Sequence, residues 1–197
     1  MPHDQRLGDH HHHHHQQQDQ AHQCNCTSTP APATQSLDEL EFERGIWTAA
    51  IDNDTSKLTT LIGRGHLNDR DQSGYTALHY AARCGHQEIC RRLLDSGIGV
   101  DEQTHGGATA LHRAAMMGHS KIVKLLLERK SNPLLQDSDG KTALHRAVER
   151  GHLETCQILL ENHRAAATIR DNKGNTPLEL ISVTSPHKQQ FDKLFSV

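Results

Sequence analysis

The sequence predicts an all-α repeat solenoid of about five helix-turn-helix units with β-turn or hairpin loops, behind a disordered N-terminal tail. Two observations predict the array. Thr76, Thr109, Thr142 and Thr176 recur at spacings of 33, 33 and 34 residues, and Gly74, Gly107, Gly140 and Gly174 and Leu78, Leu111, Leu144 and Leu178 recur in step with them. The composition agrees: 34% of the 197 residues are hydrophobic and 3% aromatic, so the core must be layered Leu, Ile, Val and Ala rather than one aromatic centre. A third observation predicts the tail. Residues 1–35 hold His10 to His15, Gln16 to Gln18 and a Thr/Ser/Pro/Ala stretch, with too little apolar surface to offset the entropy of ordering them.

The folded part is expected to start at Ser36. Ser36-Leu37-Asp38-Glu39 has the form of a capping box, and Leu40, Phe42, Ile46, Trp47, Ala50 and Ile51 follow at helical spacing. The array then divides into units of about 36–70, 71–103, 104–136, 137–170 and 171–197. In each central unit the first glycine suits a turn with positive φ, and the threonine two residues later suits a helix N-cap. The helix that follows, about eight residues long, is expected to stop at Gly85, Gly118 or Gly151. A second helix begins after Gly-His and carries the aligned pairs Leu93-Leu94, Leu126-Leu127 and Leu159-Leu160. One helix pair cannot bury both apolar faces, whereas stacked copies can. The terminal units are atypical. The first lacks the Thr-x-Leu-His entry, and the last replaces Gly-His by Ser185-Pro186 and offers Phe191, Leu194 and Phe195 to seal the final layer.

The run from Asp71 through Gly74, Thr76-Ala77-Leu78-His79, Ala81-Ala82 and Gly85-His86 to Ile89 resembles the ankyrin repeat, as do the copies beginning near Thr104 and Asp137. The family's Thr-Pro-Leu-His tetrapeptide is Thr-Ala-Leu-His here, with proline only at Pro177; proline at the first helical position is favourable but dispensable, and alanine is a good helix former. Phe42 to Trp47 and Gln103 to Arg113 resemble a small, free-standing member of that family without an enzymatic signature.

Chemistry-bearing residues are read against this frame. His79, His112 and His145 belong to the helix entry and are expected to lock loops. Equivalent histidines one layer apart lie roughly 8–10 Å from each other, too far to share a zinc ion. The same holds for His86, His119 and His152. Cys90 and Cys156 share the repeat position of Val123 and read as small buried hydrophobes. No phosphate loop, His-Glu-x-x-His helix or nucleophile elbow is present, so neither an enzyme nor a cofactor is expected. An alternative function is metal handling by His10 to His15, His22, Cys24 and Cys26 in the tail.

A net charge of -3 argues against nucleic-acid and membrane-surface binding, although Arg83, Arg91, Arg92, Arg113, Arg146 and Arg150 offer a candidate basic strip. Five cysteines without a secretory leader suit free thiols in a reducing compartment, so cytoplasm or nucleus is expected. What the resemblance implies is a non-catalytic protein–protein interaction module, expected to be monomeric, with a concave groove built from turn tips and first helices. The partner-facing candidates are the positions that the fold does not dictate. They are Gln72, Ser73, Tyr75, Arg83 and Cys84; His105, Ala108, Met116 and Met117; and Ser138, Asp139, Lys141, Glu149 and Arg150. Tyr and Arg are types enriched at binding hot spots, and the Met116-Met117 pair would supply adaptable thioethers in mid-groove.

Overall fold

Thr76, Thr109 and Thr142 stand in extended backbone immediately before a helix, and in each case the histidine three residues on turns back to close the end. The Thr backbone N–H donates to His Nδ1 at 3.1 Å in all three copies. This is a capping box in which imidazole takes the place of the usual Glu or Gln. A computed structural model describes residues 45–181 and 188–196. The tail with His10 to His15, Cys24 and Cys26, the Ser36–Glu39 capping box, Leu40 and Phe42, and Ser185-Pro186 lie outside the described residues.

The helices follow the expected order. They are α1 (Ile46–Ile51), α2 (Thr55–Gly63), α3 (Ala77–Cys84), α4 (Gln87–Asp95), α5 (Ala110–Met117), α6 (Ser120–Glu128), α7 (Ala143–Glu149), α8 (Leu153–Asn162) and α9 (Lys188–Ser196). Two 3₁₀ turns, Arg164–Thr168 and Leu178–Leu180, interrupt the pattern near the C-terminal end. The first helices α1, α3, α5 and α7 pack side by side in one layer. The second helices α4, α6 and α8 pack in another, and each first helix packs on its own second helix. Small residues allow the first helices to approach: Ala81-Ala82, Ala114-Ala115 and Ala147-Val148 are all buried. Leu78, Leu111, Leu144, Leu93, Leu126 and Leu159 fill the space between layers. No strand occurs among the described residues.

Both ends of each first helix are tied to a neighbouring layer. With Nδ1 accepting from the threonine N–H, the entry histidine carries its proton on Nε2, which donates forward to the next turn. His79 reaches the Ala108 carbonyl at 3.0 Å, His112 that of Lys141 at 3.0 Å, and His145 that of Asn175 at 3.2 Å. The histidine of each Gly-His pair donates backward into the last turn of the preceding first helix. His86 reaches the Ile51 carbonyl at 2.9 Å, His119 that of Arg83 at 3.0 Å, and His152 that of Met116 at 3.1 Å. Helix ends leave carbonyls without intrahelical partners, and these imidazoles satisfy one per layer. The glycine beside them must be small as well as left-handed. Gly118 has φ +73°, and a Cβ there would sit 2.6–2.8 Å from the His152 ring. In the fourth layer α7 ends at Glu149, so Gly151 keeps φ +74° just beyond the helix.

The turns form a second seam of backbone hydrogen bonds. His105 N–H donates to the Ser73 carbonyl at 3.0 Å, Ser138 N–H to Gly106 at 2.8 Å, and Asn172 N–H to Asp139 at 3.0 Å.

The last layer departs from the others for visible reasons. The second helices α4 and α6 are followed by left-handed residues, Gly97 (φ +90°) and Lys130 (φ +68°). The corresponding His163 is instead extended (φ -148°) and leads into the 3₁₀ turn Arg164–Thr168, which accounts for the longer spacing of 34. The expected first helix of this layer is reduced to Leu178–Leu180, where Glu179 replaces the entry histidine and accepts from the Thr176 N–H at 2.6 Å. As expected, Phe191 is buried in the final layer, with Leu194 and Phe195 packed against the core.

Two consequences can be measured. Burial pushes the His79 imidazole down to about 4 and lowers His112 and His145 in the same direction. The unfolded chain, near the ordinary value of about 6.5, then binds more protons than the native state between those limits. Stability is therefore full above about pH 6.5 and is lost as pH falls toward about 4, with His79 alone accounting for about 3 kcal/mol. Urea midpoints should fall across this window, and His79→Gln should flatten the fall while lowering stability at neutral pH. Separately, Thr155 stands where α4 and α6 carry Ile89 and Ile122, and its buried hydroxyl has no hydrogen-bond partner among the described residues. Thr155→Val removes that hydroxyl at constant shape and should raise stability by about 1 kcal/mol, read as a higher melting temperature.

Candidate partner-binding face

The exposed side chains nearest the turns are positioned by a residue that opens each turn. The Asp71 carboxylate accepts from the Ser73 and Tyr75 N–H groups at 2.9 and 2.8 Å. Asp137 does the same for Asp139 and Lys141, and Asp171 for Lys173 and Asn175. Such Asx turns fix the loop without using the residues at its tip. Gln72, Ser73, His105, Ser138 and Asp139 are accordingly exposed. In the turn at 104–108 Thr104 substitutes for aspartate, and its hydroxyl accepts from the Ala108 N–H at 3.1 Å.

The expected positions on the first helices continue the same face. Arg83, Glu149 and Arg150 are exposed, and Cys84, Met116 and Met117 are half-buried. The methionine pair is thus less open than its position in the repeat suggested. Tyr75 lies half-buried, its ring centroid 5.4 Å from that of Tyr80 and 5.6 Å from that of His79. Lys141 folds over to pair with Glu149. Ala108 differs from the rest: it is 6% exposed, and it contributes its carbonyl to His79 rather than a side chain to the surface.

Sequence reasoning placed Arg113 and Arg146 in a basic strip but missed that with Tyr80 they form one row on this face. Tyr80, Arg113 and Arg146 occupy one repeat position, three to four residues before the two candidate positions at each first-helix end and hence on the same side of the helix. The Tyr80 hydroxyl donates to the second oxygen of Asp71 at 2.6 Å. Arg146 donates to the equivalent oxygen of Asp137 from Nε at 2.8 Å and from Nη2 at 2.6 Å, and to Asp139 at 2.8 Å. That guanidinium holds the Asp139 carboxyl below its ordinary range. Arg113 instead reaches across to the previous layer. Its guanidinium lies 4.8 Å from the Tyr75 ring centroid and donates to the Tyr75 hydroxyl. The signal was present as a third variable column in the repeat, four residues after each threonine.

The candidate basic strip is not one surface. Arg83, Arg113, Arg146 and Arg150 belong to the first helices and their ends, whereas Arg91 and Arg92 lie on α4 and pair with Glu88. Arg146 is neutralised by Asp137, Asp139 and Glu149. No group of His, Cys, Asp and Glu able to hold a metal ion occurs among the described residues, and no helix there is long and apolar enough to cross a membrane.

Comparison with known proteins agrees with this geometry. The family model for ankyrin repeats (3 copies) matches residues 46–137, and that for ankyrin repeats (many copies) matches residues 128–181. The chain belongs to the ankyrin repeat family. Ankyrin repeat domain-containing protein 39 of Homo sapiens is 47% identical over 83 residues, which are 42% of this chain and 45% of that protein. The Bos taurus protein of the same name is 48% identical over 65 residues, 31% of this chain and 36% of that one. The match thus spans less than half the length of either. NAD-capped RNA hydrolase NUDT12 of Homo sapiens is 43% identical over 51 residues, a quarter of this chain and 11% of that protein. Ankyrin repeats indicate a protein–protein interaction module, and in this ankyrin array the second-helix cysteines serve packing. Cys90 and Cys156 are fully buried, and burial pushes both thiols up to about 12. In the native chain neither should be alkylated by iodoacetamide at neutral pH, whereas both should react in urea, as read by peptide mass spectrometry.

Proposed function

We propose that the chain is a non-catalytic adaptor whose five-unit array, residues 36–197, holds a segment of a protein partner along the face built by the turns and first helices. A single contrast carries this reading. Thr, Leu, His and Ala repeat unchanged from layer to layer and are buried, while the positions interleaved with them change chemistry at every layer and reach the surface. Uniform packing alone does not require Arg83, Met116 and Glu149 to follow one another at a single repeat position. The contacting set is Gln72, Ser73, Tyr75, Arg83, Cys84, His105, Met116, Met117, Ser138, Asp139, Lys141, Glu149 and Arg150, with Tyr80, Arg113 and Arg146 beneath them. The adaptor acts as a monomer in the cytoplasm or nucleus, without cofactor. The hydrolysis named for NUDT12 is not carried over, because the shared segment is so small a part of that protein.

The test uses Met116→Glu/Met117→Glu in the full chain, checked first for native helicity by circular dichroism. Proteins recovered with the wild type in a cell pull-down should fall at least tenfold with this variant. They should be unaffected by Lys121→Glu/Lys124→Glu, which alters exposed positions on α6 on the opposite layer. Equal recovery by all three proteins overturns the proposal.

A further inference from the structure

We infer that the partner segment places a carboxylate, flanked by apolar side chains, on the Arg113 guanidinium at the centre of the face; this rests on the groove reading above. The argument starts from a pairing rule inside the layers. The residue opening each turn and the residue four after the threonine form a couple: Asp71 with Tyr80, and Asp137 with Arg146. In the layer between them the acid is missing. Thr104 stands at the turn, its hydroxyl engaged by the Ala108 N–H, so Arg113 lacks the turn-opening carboxylate that Tyr80 and Arg146 have in their layers.

The consequence is visible at the guanidinium. Among the described residues Arg113 Nε is buried without a hydrogen-bond partner, while Nη2 donates to the Tyr75 hydroxyl and the guanidinium carbon lies 4.8 Å from the centroid of that ring. An arginine fork offers five donors and suits a planar, two-oxygen acceptor. The surroundings accentuate the deficit. Neither Arg113 nor Arg83 makes an ion pair among the described residues, α3 and α5 contain no Asp or Glu, and Asp137, the acid that opens the next turn, is occupied by Arg146. A half-buried cation without a counter-charge is only partly solvated, and the missing group is one a partner can bring.

The occupant is a peptide carboxylate rather than a polyanion. Asp137, Asp139 and Glu149 follow in the next layer and would repel a continuous phosphate backbone, whereas one acidic side chain reaches Arg113 without meeting them. Met116 and Met117, on the following turn of the same helix, provide thioethers for the apolar neighbours of that acid.

The probe is a random peptide library displayed on phage and selected on the immobilised full chain, retaining peptides that Met116→Glu/Met117→Glu no longer binds. These peptides should share one Asp or Glu, and its change to Asn or Gln should weaken binding about tenfold. Thr104→Asp gives Arg113 the carboxylate that Arg146 already has. It should weaken the same peptides about tenfold while raising the melting temperature by about 2–4 °C. Should that variant fold poorly, Arg113→Gln supplies the same loss of binding without a new acid. Groove-directed peptides with no recurrent acid, or with undiminished affinity for both variants, overturn this inference and leave the groove reading standing. Only peptides indifferent to the methionine changes, or an empty selection, would remove both.

Discussion

The stack depends on a neutral imidazole used at both nitrogens. An isolated ankyrin layer leaves the carbonyls of its turn and of its first-helix end without partners, and apolar burial alone does not fix how far one layer slides on the next. The entry histidine resolves both problems in one ring. Its Nδ1 closes its own helix against the threonine N–H, and the tautomer this enforces aims Nε2–H at the following turn. The Gly-His histidine ties the other end of the helix in the reverse direction. Where both latches are present, between the turns at 71–75 and 104–108 and between those at 104–108 and 137–141, layers are pinned at each end of the first helix. Two points fix a rotation as well as a translation, so register is set by hydrogen bonds and the leucines need only fill space.

The same chemistry explains how the array stops. Glutamate can close a capping box but has no second donor to extend to a further layer. Glu179 does this: it accepts from Thr176 and pairs with Arg170. At the other end, Ile46 occupies the position of the entry histidine and is fully buried, so among the described residues the α1 layer packs on its neighbour with the backward latch from His86 but no forward one. The pairing inside the layers ends likewise. Leu180 stands where Tyr80 and Arg146 donate, and one oxygen of Asp171 is left buried without a donor among the described residues.

Much of this was legible in the sequence because the fold is periodic. Threonine, leucine, histidine and glycine at fixed offsets state the helix starts, the core and the left-handed stops, and each has a single physical reading at its place. The cysteines on the second helices were legible for the same reason, since Val123 at the third equivalent position names the environment. What was not legible falls into two kinds. The shortening of the last first helix to a 3₁₀ turn depends on how the chain leaves the array, which no repeat column encodes. The Tyr80, Arg113 and Arg146 row was passed over because a column whose residue type changes looks like solvent-facing noise until the partner of each side chain is seen. Ala108 failed in the opposite sense. Its column is open at Tyr75 and Lys141, but a methyl group is too short to leave the cap it sits on.

That last contrast points to why this fold separates stability from recognition so cleanly. The acceptors of the interlayer latches are backbone carbonyls, and they belong to the variable residues themselves: Ala108, Lys141 and Asn175 for the forward set, Arg83 and Met116 for the backward set. A carbonyl is supplied by any residue. The side chain attached to it can therefore be tyrosine in one layer, alanine in the next and lysine in the third without disturbing the hydrogen bond that registers the stack. The histidines, whose side chains make the bond, are the ones that cannot change. The arrangement places the most replaceable side chains directly above the least replaceable contacts. A segment lying on Arg83, Arg113 and Met116 would therefore rest on backbone already held from behind, and its docking would require little further ordering of the protein.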